Sequence, residues 1–321
     1  MKTQNSILYV IITLVGIALI GVIILLSLPD SKTEYTTTAT VDAQLNFVGP
    51  LQEDESIALW EGSIVNPTTD DLQSVRVYVP QGENLPAVIL IPGGVGNGAD
   101  FEKDNGEYPS DVRTIAEAGF VTAVYDPLGR GKSEGEINFQ GLEDQDGLSE
   151  VIRLVQNMPE VNSKNVGLAS FSYGVTAAAG VLARYPELAL KFWSDWEGPS
   201  SRSFTNPGCA GSLSNNALPT PGSFACNDDE HWLGREAAES VKFARVDSYW
   251  RTQTLDDHVQ NTYGHTVEMV NNAILNPDIL HVFLNDMTEN TLVTEETVEP
   301  VPNGPHLILY IIPHLKEMAG L

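Results

Sequence analysis

The feature that most constrains the fold is a series of short apolar runs that alternate with helical segments. Ala87–Ile91 (AVILI) is wholly apolar, as expected for a strand buried on both faces of a sheet. Val121–Tyr125 and Asn165–Ser170 have the same character, and helical segments lie near Asp111–Ala118 and Leu148–Gln156. Repeated strand–helix–strand units predict an α/β fold with a mostly parallel sheet and helices on both faces.

The rest of the chain extends this pattern after residue 46. Further strands are expected near Ser56–Val65, Ser74–Pro80, Leu190–Trp193, Ser248–Thr254 and Leu280–Asn285, with helices near Gly174–Arg184, Arg235–Phe243 and Thr262–Ile274. Residues 200–230 are rich in Gly, Pro, Ser and Asn and have no clear periodicity. We therefore expect one domain over residues 46–321, with a small inserted loop or cap over residues 200–240.

A second long feature precedes this domain. Ile7–Pro29 is an uncharged apolar run, and about 23 helical residues span about 35 Å, enough to cross a bilayer. Lys2 lies before the run, and Asp30 and Glu34 follow it, which places residues 1–6 in the cytoplasm by the positive-inside rule. The run is longer than the core of a usual signal peptide, and no clear Ala-x-Ala site follows it. It predicts an uncleaved transmembrane signal anchor, followed by a polar tether over residues 30–45.

The net charge and the cysteine content exclude some classes of partner and of metal site. The formal net charge of −26 repels phosphate backbones and disfavours nucleic-acid binding. Cys209 and Cys226 are the two cysteines of the chain, too few for a cysteine-rich zinc site. Outside the cytoplasm they could pair, closing a loop of about 17 residues and contributing about 3 kcal/mol to stability. The sequence does not indicate an oligomeric state.

The strongest chemical signal lies at one strand-to-helix turn. Val166–Gly174 (VGLASFSYG) runs from an apolar strand into a helix of small residues. A nucleophile at so sharp a turn needs small residues two positions to either side, and Ser170 and Gly174 meet that need around Ser172. The Ser172 hydroxyl is then expected at the carboxyl edge of the sheet, above a helix N-terminus.

Together with two glycine-rich turns, this segment resembles the α/β-hydrolase superfamily. Ile89–Gly98 (ILIPGGVGNG) is similar to the turn after the third strand, with Pro92 where many members have histidine. Asp126–Gly135 (DPLGRGKSEG) is similar to the loop after the fourth strand. The resemblance implies an oxyanion hole formed by the backbone N–H groups of Tyr173 and of Gly94 or Val95, and a reaction that needs no metal or organic cofactor.

The resemblance also implies an acid and a histidine later in the chain. The acid is expected at Asp257, with Asp256 as its immediate rival and with Asp195 and Glu197 as alternatives after the preceding strand. The base must shuttle a proton near neutral pH, so it is a histidine. His306 matches the family's position after the last strand. His314 becomes the better base if Leu307–Ile312 is a strand, whereas His258 and His281 are interpreted as structural.

These features predict a membrane-anchored, extracytoplasmic serine hydrolase with the triad Ser172, Asp257 and His306. Its substrates are expected to be carboxylic esters or peptides, and its lipid contact is made by residues 7–29. Two segments, WSDWEGPS at Trp193–Ser200 and NDDEHW at Asn227–Trp232, combine carboxylates with tryptophan. Because acidic residues can bind the free amino group of a substrate, these segments make an aminopeptidase or dipeptidyl-peptidase-like enzyme an alternative. A catalytically inactive binding module with the same fold is the alternative of a different class.

Overall fold

The computed structural model describes residues 44–52, 54–104, 106–205, 226–258, 260, 262–302 and 306–321. They belong to one compact unit, Val41–Leu321. The predicted anchor at residues 7–29, nearly all of the predicted tether, and Cys209 lie outside the described residues. Within the described ranges, every helix is too short or too polar to cross a membrane.

A single mixed sheet organises the unit. Its nine strands are β1 (Gln44–Pro50), β2 (Ile57–Val65), β3 (Leu72–Pro80), β4 (Leu85–Ile91), β5 (Val121–Tyr125), β6 (Val161–Phe171), β7 (Phe192–Trp196), β8 (Val246–Thr252) and β9 (Ile279–Leu284). They lie in the order β1-β2-β3-β5-β4-β6-β7-β8-β9. The pairings from β1 to β5 across β2 and β3 are antiparallel, and all pairings from β5 to β9 are parallel. The predicted mostly parallel sheet is confirmed.

Helices cover both faces of the sheet, as expected for buried parallel strands. In the described residues they are α1 (Asp111–Glu117), α2 (Leu142–Gln156), α3 (Gly174–Arg184), α4 (Arg202–Thr205), α5 (Asp229–Trp232), α6 (Ala237–Ser240), α7 (Gly264–Leu275) and α8 (Leu307–Ala319). The side chains of α2, α3 and α7 join one apolar cluster, and those of α1 and α8 join the other. Ile89 belongs to the first cluster and its neighbours Val88 and Leu90 to the second, so β4 is buried on both faces.

The structure differs from the sequence-based expectations at the chain's less periodic parts. Strand β1 was not expected, and it pairs antiparallel with β2 at the sheet edge. Arg235–Phe243 is broken into α6 and a 3₁₀ turn, Val241–Phe243. The segment after His306 is helix α8 and not a strand, because Ile308, Ile311 and Leu315 recur at helical spacing and are buried together.

The described part of the predicted insert is held by one arginine. The Arg202 guanidinium donates to the carbonyl oxygen of Cys226 at 2.7 Å and pairs with Asp229 at 2.8 Å and Glu236 at 2.6 Å. Cys226 is disulfide-bonded. The amide of Gln260 donates to the carbonyl oxygen of Phe204 at 2.7 Å, so this insert contacts the loop that follows β8.

Candidate active site

Ser172 lies at the sharp turn between β6 and α3. Its φ is +51°, a left-handed conformation that costs energy in a non-glycine residue and persists where the surroundings impose it. Its N–H donates to the carbonyl oxygen of Trp196 at 2.8 Å. A Cβ added to Gly174 would lie 2.7 Å from the carbonyl oxygen of Ile91, so a larger residue cannot fit there. The strand, the strained turn and the helix together present the Ser172 hydroxyl at the carboxyl edge of the sheet.

The histidine beside this hydroxyl is His258. Its Nε2 lies 2.8 Å from Ser172 Oγ, within hydrogen-bond distance. His258 follows β8, two strands along the sheet from β6, and the carboxyl ends of these parallel strands meet at one edge. The indole of Trp196 stacks on the imidazole, with ring centroids 4.8 Å apart and planes 13° apart. Stacking and hydrogen bonding together fix the ring's position.

The other ring nitrogen of His258 faces Glu197. Nδ1 lies 3.1 Å from Glu197 Oε2, and the Glu197 side chain is fully buried. Oε1 of Glu197 accepts hydrogen bonds from the backbone N–H of Thr254, at 2.6 Å, and from its hydroxyl. Glu197 directly follows β7 and has a φ of +47°, so a second strained residue lies at this edge of the sheet. A hydroxyl, an imidazole and a buried carboxylate form a continuous series.

The structure corrects the expected base. His306 makes no hydrogen bond with Ser172; its Nε2 lies 3.5 Å from Oδ1 of Asp111, and its ring packs on Tyr108 with centroids 5.0 Å apart. His306 precedes α8, and the long connection from β9 places it on another part of the site. His314 lies within α8, stacked on Trp250 with centroids 3.7 Å apart. His258, which we had interpreted as structural, replaces both as the candidate base.

The expected acid lies close by but is not the nearest carboxylate. Oδ1 of Asp257 is 3.8 Å from His258 Nδ1, compared with 3.1 Å for Glu197. Asp256 is exposed, and Asp195 is buried in an ion pair with Arg251. Glu197, one of the alternatives considered, is therefore the carboxylate that the geometry favours. For the base, a stronger sequence signal than the position after the last strand was the polar run Asp256–His258. This run follows a predicted strand, at the edge of the sheet where Ser172 was expected.

Of the expected oxyanion-hole residues, Tyr173 lies at the Ser172 turn, and Gly94 and Val95 lie in the loop after β4. No hydrogen bond between described residues uses the backbone N–H of Tyr173, whereas that of Ser172 is bonded to Trp196. Across the turn, a Cβ added to Gly93 would lie 2.7 Å from Ser172 Cβ and 3.3 Å from the nitrogen of Tyr173. Gly93, which we had not included, thus makes the closest approach. The roles of Gly94 and Val95 stay predictions.

A cavity of about 420 Å³ opens beside Ser172. Phe101, Phe171, Trp196, Leu307 and Ile308 supply its apolar lining. Its polar lining includes Asp111 and His306, and burial raises the pKa of Asp111 to about 6 while the nearby His306 opposes that shift. The cavity is large enough for a small acyl or leaving group next to the nucleophile.

Glu197, Asp257 and His258 also present ligand atoms within 4.8 Å of one another, a distance that a metal ion could bridge. Each carboxylate already accepts hydrogen bonds from the protein: Glu197 from Thr254, and Asp257 from Gln253 and Gln260. A cation here would displace His258 Nδ1 from Glu197. The donor set therefore fits an oriented histidine better than a resident metal.

Comparison with known proteins finds similar folds and one family that covers the Ser172 turn. Residues 70–199, which contain the Ser172 turn and Glu197, match the model of the X-Pro dipeptidyl-peptidase family, peptidase S15. S-formylglutathione hydrolase of Agrobacterium tumefaciens superposes with a TM-score of 0.58, at 18% identity, over 86% of this chain and 99% of that chain. The chain has the α/β-hydrolase fold. Acetyl xylan esterase 1 of a Thermoanaerobacterium species, another α/β-hydrolase-like neighbour, gives a TM-score of 0.54 at 13% identity, over 86% and 88% of the two chains.

A curated relative is similar over a shorter stretch. An uncharacterised protein of Pseudomonas aeruginosa, PA2218, is 32% identical over 97 residues, which is 29% of this chain. The alignment spans 24% of that relative's own length. The predicted α/β-hydrolase fold is confirmed, and the activity of this protein is left to be argued from its site.

Proposed function

We propose that this protein is a serine hydrolase in which Ser172 is the nucleophile, His258 the base and Glu197 the acid. One observation carries the proposal: Ser172 Oγ, His258 Nε2, His258 Nδ1 and Glu197 Oε2 form a series with gaps of 2.8 Å and 3.1 Å. A nucleophile within reach of a base that a third group orients is the arrangement on which hydroxyl activation depends.

The geometry supports a two-step acyl transfer. His258 Nε2 takes the proton of Ser172 as Oγ bonds to the substrate carbonyl carbon, and the carbonyl π electrons move onto the oxygen. Backbone N–H groups at the turn, including that of Tyr173, stabilise this oxyanion. The intermediate then expels an alcohol or amine, which takes the proton from His258. Water then bonds to the acyl carbon as His258 takes its proton, the bond from that carbon to Ser172 Oγ breaks, and Oγ recovers the proton from His258 as the carboxylic acid leaves.

Glu197 orients the imidazole in both steps. Its carboxylate accepts a hydrogen bond from Nδ1–H, which leaves the Nε2 lone pair facing Ser172, and its charge stabilises the imidazolium that forms. The hydrogen bonds from Thr254 fix the carboxylate from the other side. His258 can therefore accept a proton without leaving its place.

The substrate class is a carboxylic ester, with a peptide or amide as the second candidate. The mostly apolar cavity beside Ser172 suits an uncharged acyl or leaving group. The match to the peptidase S15 model, which includes the Ser172 turn, favours amide substrates as well. Parallel turnover of p-nitrophenyl esters and aminoacyl p-nitroanilides would rank the two classes.

We also infer that residues 7–29 anchor the hydrolase domain on the extracytoplasmic side of a membrane. The uncharged run supports this, and so does the disulfide at Cys226, since disulfides persist in oxidising compartments. Membrane fractionation of the full chain and of a chain lacking residues 1–40 tests it. Full-length protein recovered without membranes, or degraded only by cytoplasmic protease, contradicts it.

Covalent labelling of the full chain with a fluorophosphonate probe tests the catalytic proposal. Wild type should be labelled to about one probe per chain, and Ser172→Ala should abolish the label. Ser170→Ala, two residues earlier on the same strand, is the matched control and should keep it. Labelling that survives Ser172→Ala would identify another serine, and folded wild-type protein that takes no label and hydrolyses no ester would favour the inactive binding module.

A further inference from the structure

Asp257 is held far more firmly than an accidental neighbour of His258 would be. Its side chain is 3% exposed, although it lies in a loop. Its Oδ2 accepts from the amide of Gln253 at 3.0 Å, and its Oδ1 accepts from the backbone N–H of Gln260 at 2.8 Å. Nε2 of His265 lies 3.2 Å from Oδ2, a close electrostatic contact without hydrogen-bond geometry. Buried carboxylates require such partners, so these contacts determine where the segment next to His258 lies.

Two of the side chains that contact Asp257, those of His265 and Gln253, are connected to the fully buried Arg251. In one branch, the guanidinium contacts His265 Nδ1 at 2.8 Å. Because arginine only donates, this contact needs Nδ1 as the acceptor and places the ring proton on Nε2, towards Asp257. Nδ1 also lies 3.1 Å from the carbonyl oxygen of Gly198, but that oxygen already accepts from Arg251 at 2.7 Å. In the other branch, Arg251 Nε donates to Thr266 at 3.0 Å, and the Thr266 hydroxyl donates to the Gln253 side chain.

This network also reaches the proposed acid. The Gln253 amide that donates to Asp257 lies 3.5 Å from Glu197 Oε1. Arg251 donates to the carbonyl oxygen of Gly198, the residue after Glu197, at 2.7 Å, and its charge is balanced by Asp195. One buried group of side chains on β8 and α7 therefore fixes both the carboxylate and the histidine loop.

We propose that Asp257 is a positioning residue for His258, held by His265 and Gln253 so that Nδ1 meets Glu197 and Nε2 meets Ser172. This inference rests on the proposed function. Glu197, at 3.1 Å, is the group that accepts the hydrogen bond from Nδ1–H, and Asp257, at 3.8 Å, acts on the adjoining backbone. A displacement of about 1 Å in such a group costs about 10²-fold in rate.

Asp257→Asn tests the proposal, because it turns one acceptor oxygen into a donor that faces the amide of Gln253. We expect kcat to fall about 10- to 100-fold with KM within about twofold of wild type. The fluorophosphonate rate constant should fall in parallel, while the final stoichiometry stays near one label per chain. A purely structural role would lower the labelled fraction and the melting temperature and leave the rate constant of the folded fraction unchanged.

Asp256→Asn is the matched control, since it removes the same charge from the exposed neighbouring residue. It should leave kcat within about twofold of wild type. A kcat of Asp257→Asn equal to that of Asp256→Asn overturns the proposal. Absence of Ser172-dependent labelling in wild type instead overturns the proposed function, so the two failures are distinguishable.

Variants of His265 test whether this residue acts on His258 through Asp257. His265→Gln keeps an N–H donor near the Nε2 position and should retain most of the wild-type kcat, whereas His265→Leu should resemble Asp257→Asn. Both substitutions interrupt the same contact, between His265 and Asp257. The double variant Asp257→Asn/His265→Leu should therefore have a kcat no lower than that of the slower single variant. Rate losses that simply multiply would show that His265 does not act through Asp257.

Discussion

His258 and His306 both belong to the Ser172 site, yet their surroundings differ in kind. The His258 side chain is 36% exposed, and each ring nitrogen lies within hydrogen-bond distance of an oxygen, one of Ser172 and one of Glu197. The His306 side chain is 8% exposed, its Nδ1 has no hydrogen-bond partner among the described residues, and its Nε2 is 3.5 Å from Asp111. A base needs a nucleophile on one nitrogen and an orienting acceptor on the other, and only His258 meets both conditions.

The two carboxylates beside these histidines differ in the same way. Glu197 is fully buried, but it accepts hydrogen bonds from Thr254 as well as facing His258. Asp111 lines the cavity, and burial raises its pKa to about 6. The comparison indicates that hydrogen-bond geometry, and not position after the last strand, separates the proposed catalytic pair, His258 and Glu197, from the cavity-lining pair, His306 and Asp111.

The largest expected effect tests the difference between His258 and His306 directly. His258→Ala removes the base and should lower kcat/KM for a p-nitrophenyl ester by about 10⁵-fold, to the level of Ser172→Ala, since members of a triad act as a unit. His306→Ala should change kcat by less than about fivefold, with any effect falling on KM. Steady-state kinetics and the rate of fluorophosphonate labelling measure both variants. Loss of labelling with His306→Ala, and its survival with His258→Ala, would restore His306 as the base.

The carboxylates give the second largest difference. Glu197→Gln keeps the side-chain size but removes the acceptor charge that selects the His258 tautomer, so kcat should fall about 10³- to 10⁴-fold. Asp111→Asn is the matched control at the other pair, and its kcat should stay within about fivefold of wild type. Circular dichroism should show both proteins folded. A kcat of Glu197→Gln within tenfold of wild type would transfer the acid's role to Asp257.

The sequence predicted the fold and the Ser172 turn because both depend on local patterns. Residues within a few positions determine the strand at Ala87–Ile91. The same is true of the turn at Ser172, which depends on the small residues around it. Val121–Tyr125 and Gly174–Arg184 were predicted with the bounds that the structure has.

The remaining members of the candidate site could not be predicted this way, because they come together only in the tertiary structure. Glu197 and His258 follow different strands, 61 positions apart, and their contact depends on how far each loop extends beyond the sheet edge. The resemblance located the base by its order in the chain, whereas the candidate base in the structure lies in the loop after β8. Helix α8 was missed because its pattern of apolar residues also suits a strand over the first few positions.

A smaller effect is expected at the turn that faces Ser172. Gly93→Ala adds a methyl group that would lie 2.6 Å from the carbonyl oxygen of Phe171, so the turn must shift and kcat should fall about 10²-fold. Gly94→Ala meets no atom within 4 Å, but its φ of +45° should cost about 1 kcal/mol of stability with little change in kcat. Kinetics and urea unfolding separate the two effects. Equal kcat values for the two variants would show that the close approach of Gly93 to the Ser172 turn does not affect catalysis.

The smallest expected effect concerns stability at the cavity-lining pair. The pKa of Asp111 is raised from 3.8 to about 6, so the native state binds more protons than the unfolded state between these values, and its stability falls as pH rises through that window. Asp111→Asn removes this cost and should stabilise the protein by about 1 kcal/mol at pH 7.5, allowing for the partial exposure of the side chain. The gain should vanish below pH 4, where both states of the wild type are protonated. Thermal unfolding of both proteins at pH 3.5 and pH 7.5 measures the difference, and an equal effect at the two pH values would mean that the Asp111 charge is not penalised beside His306.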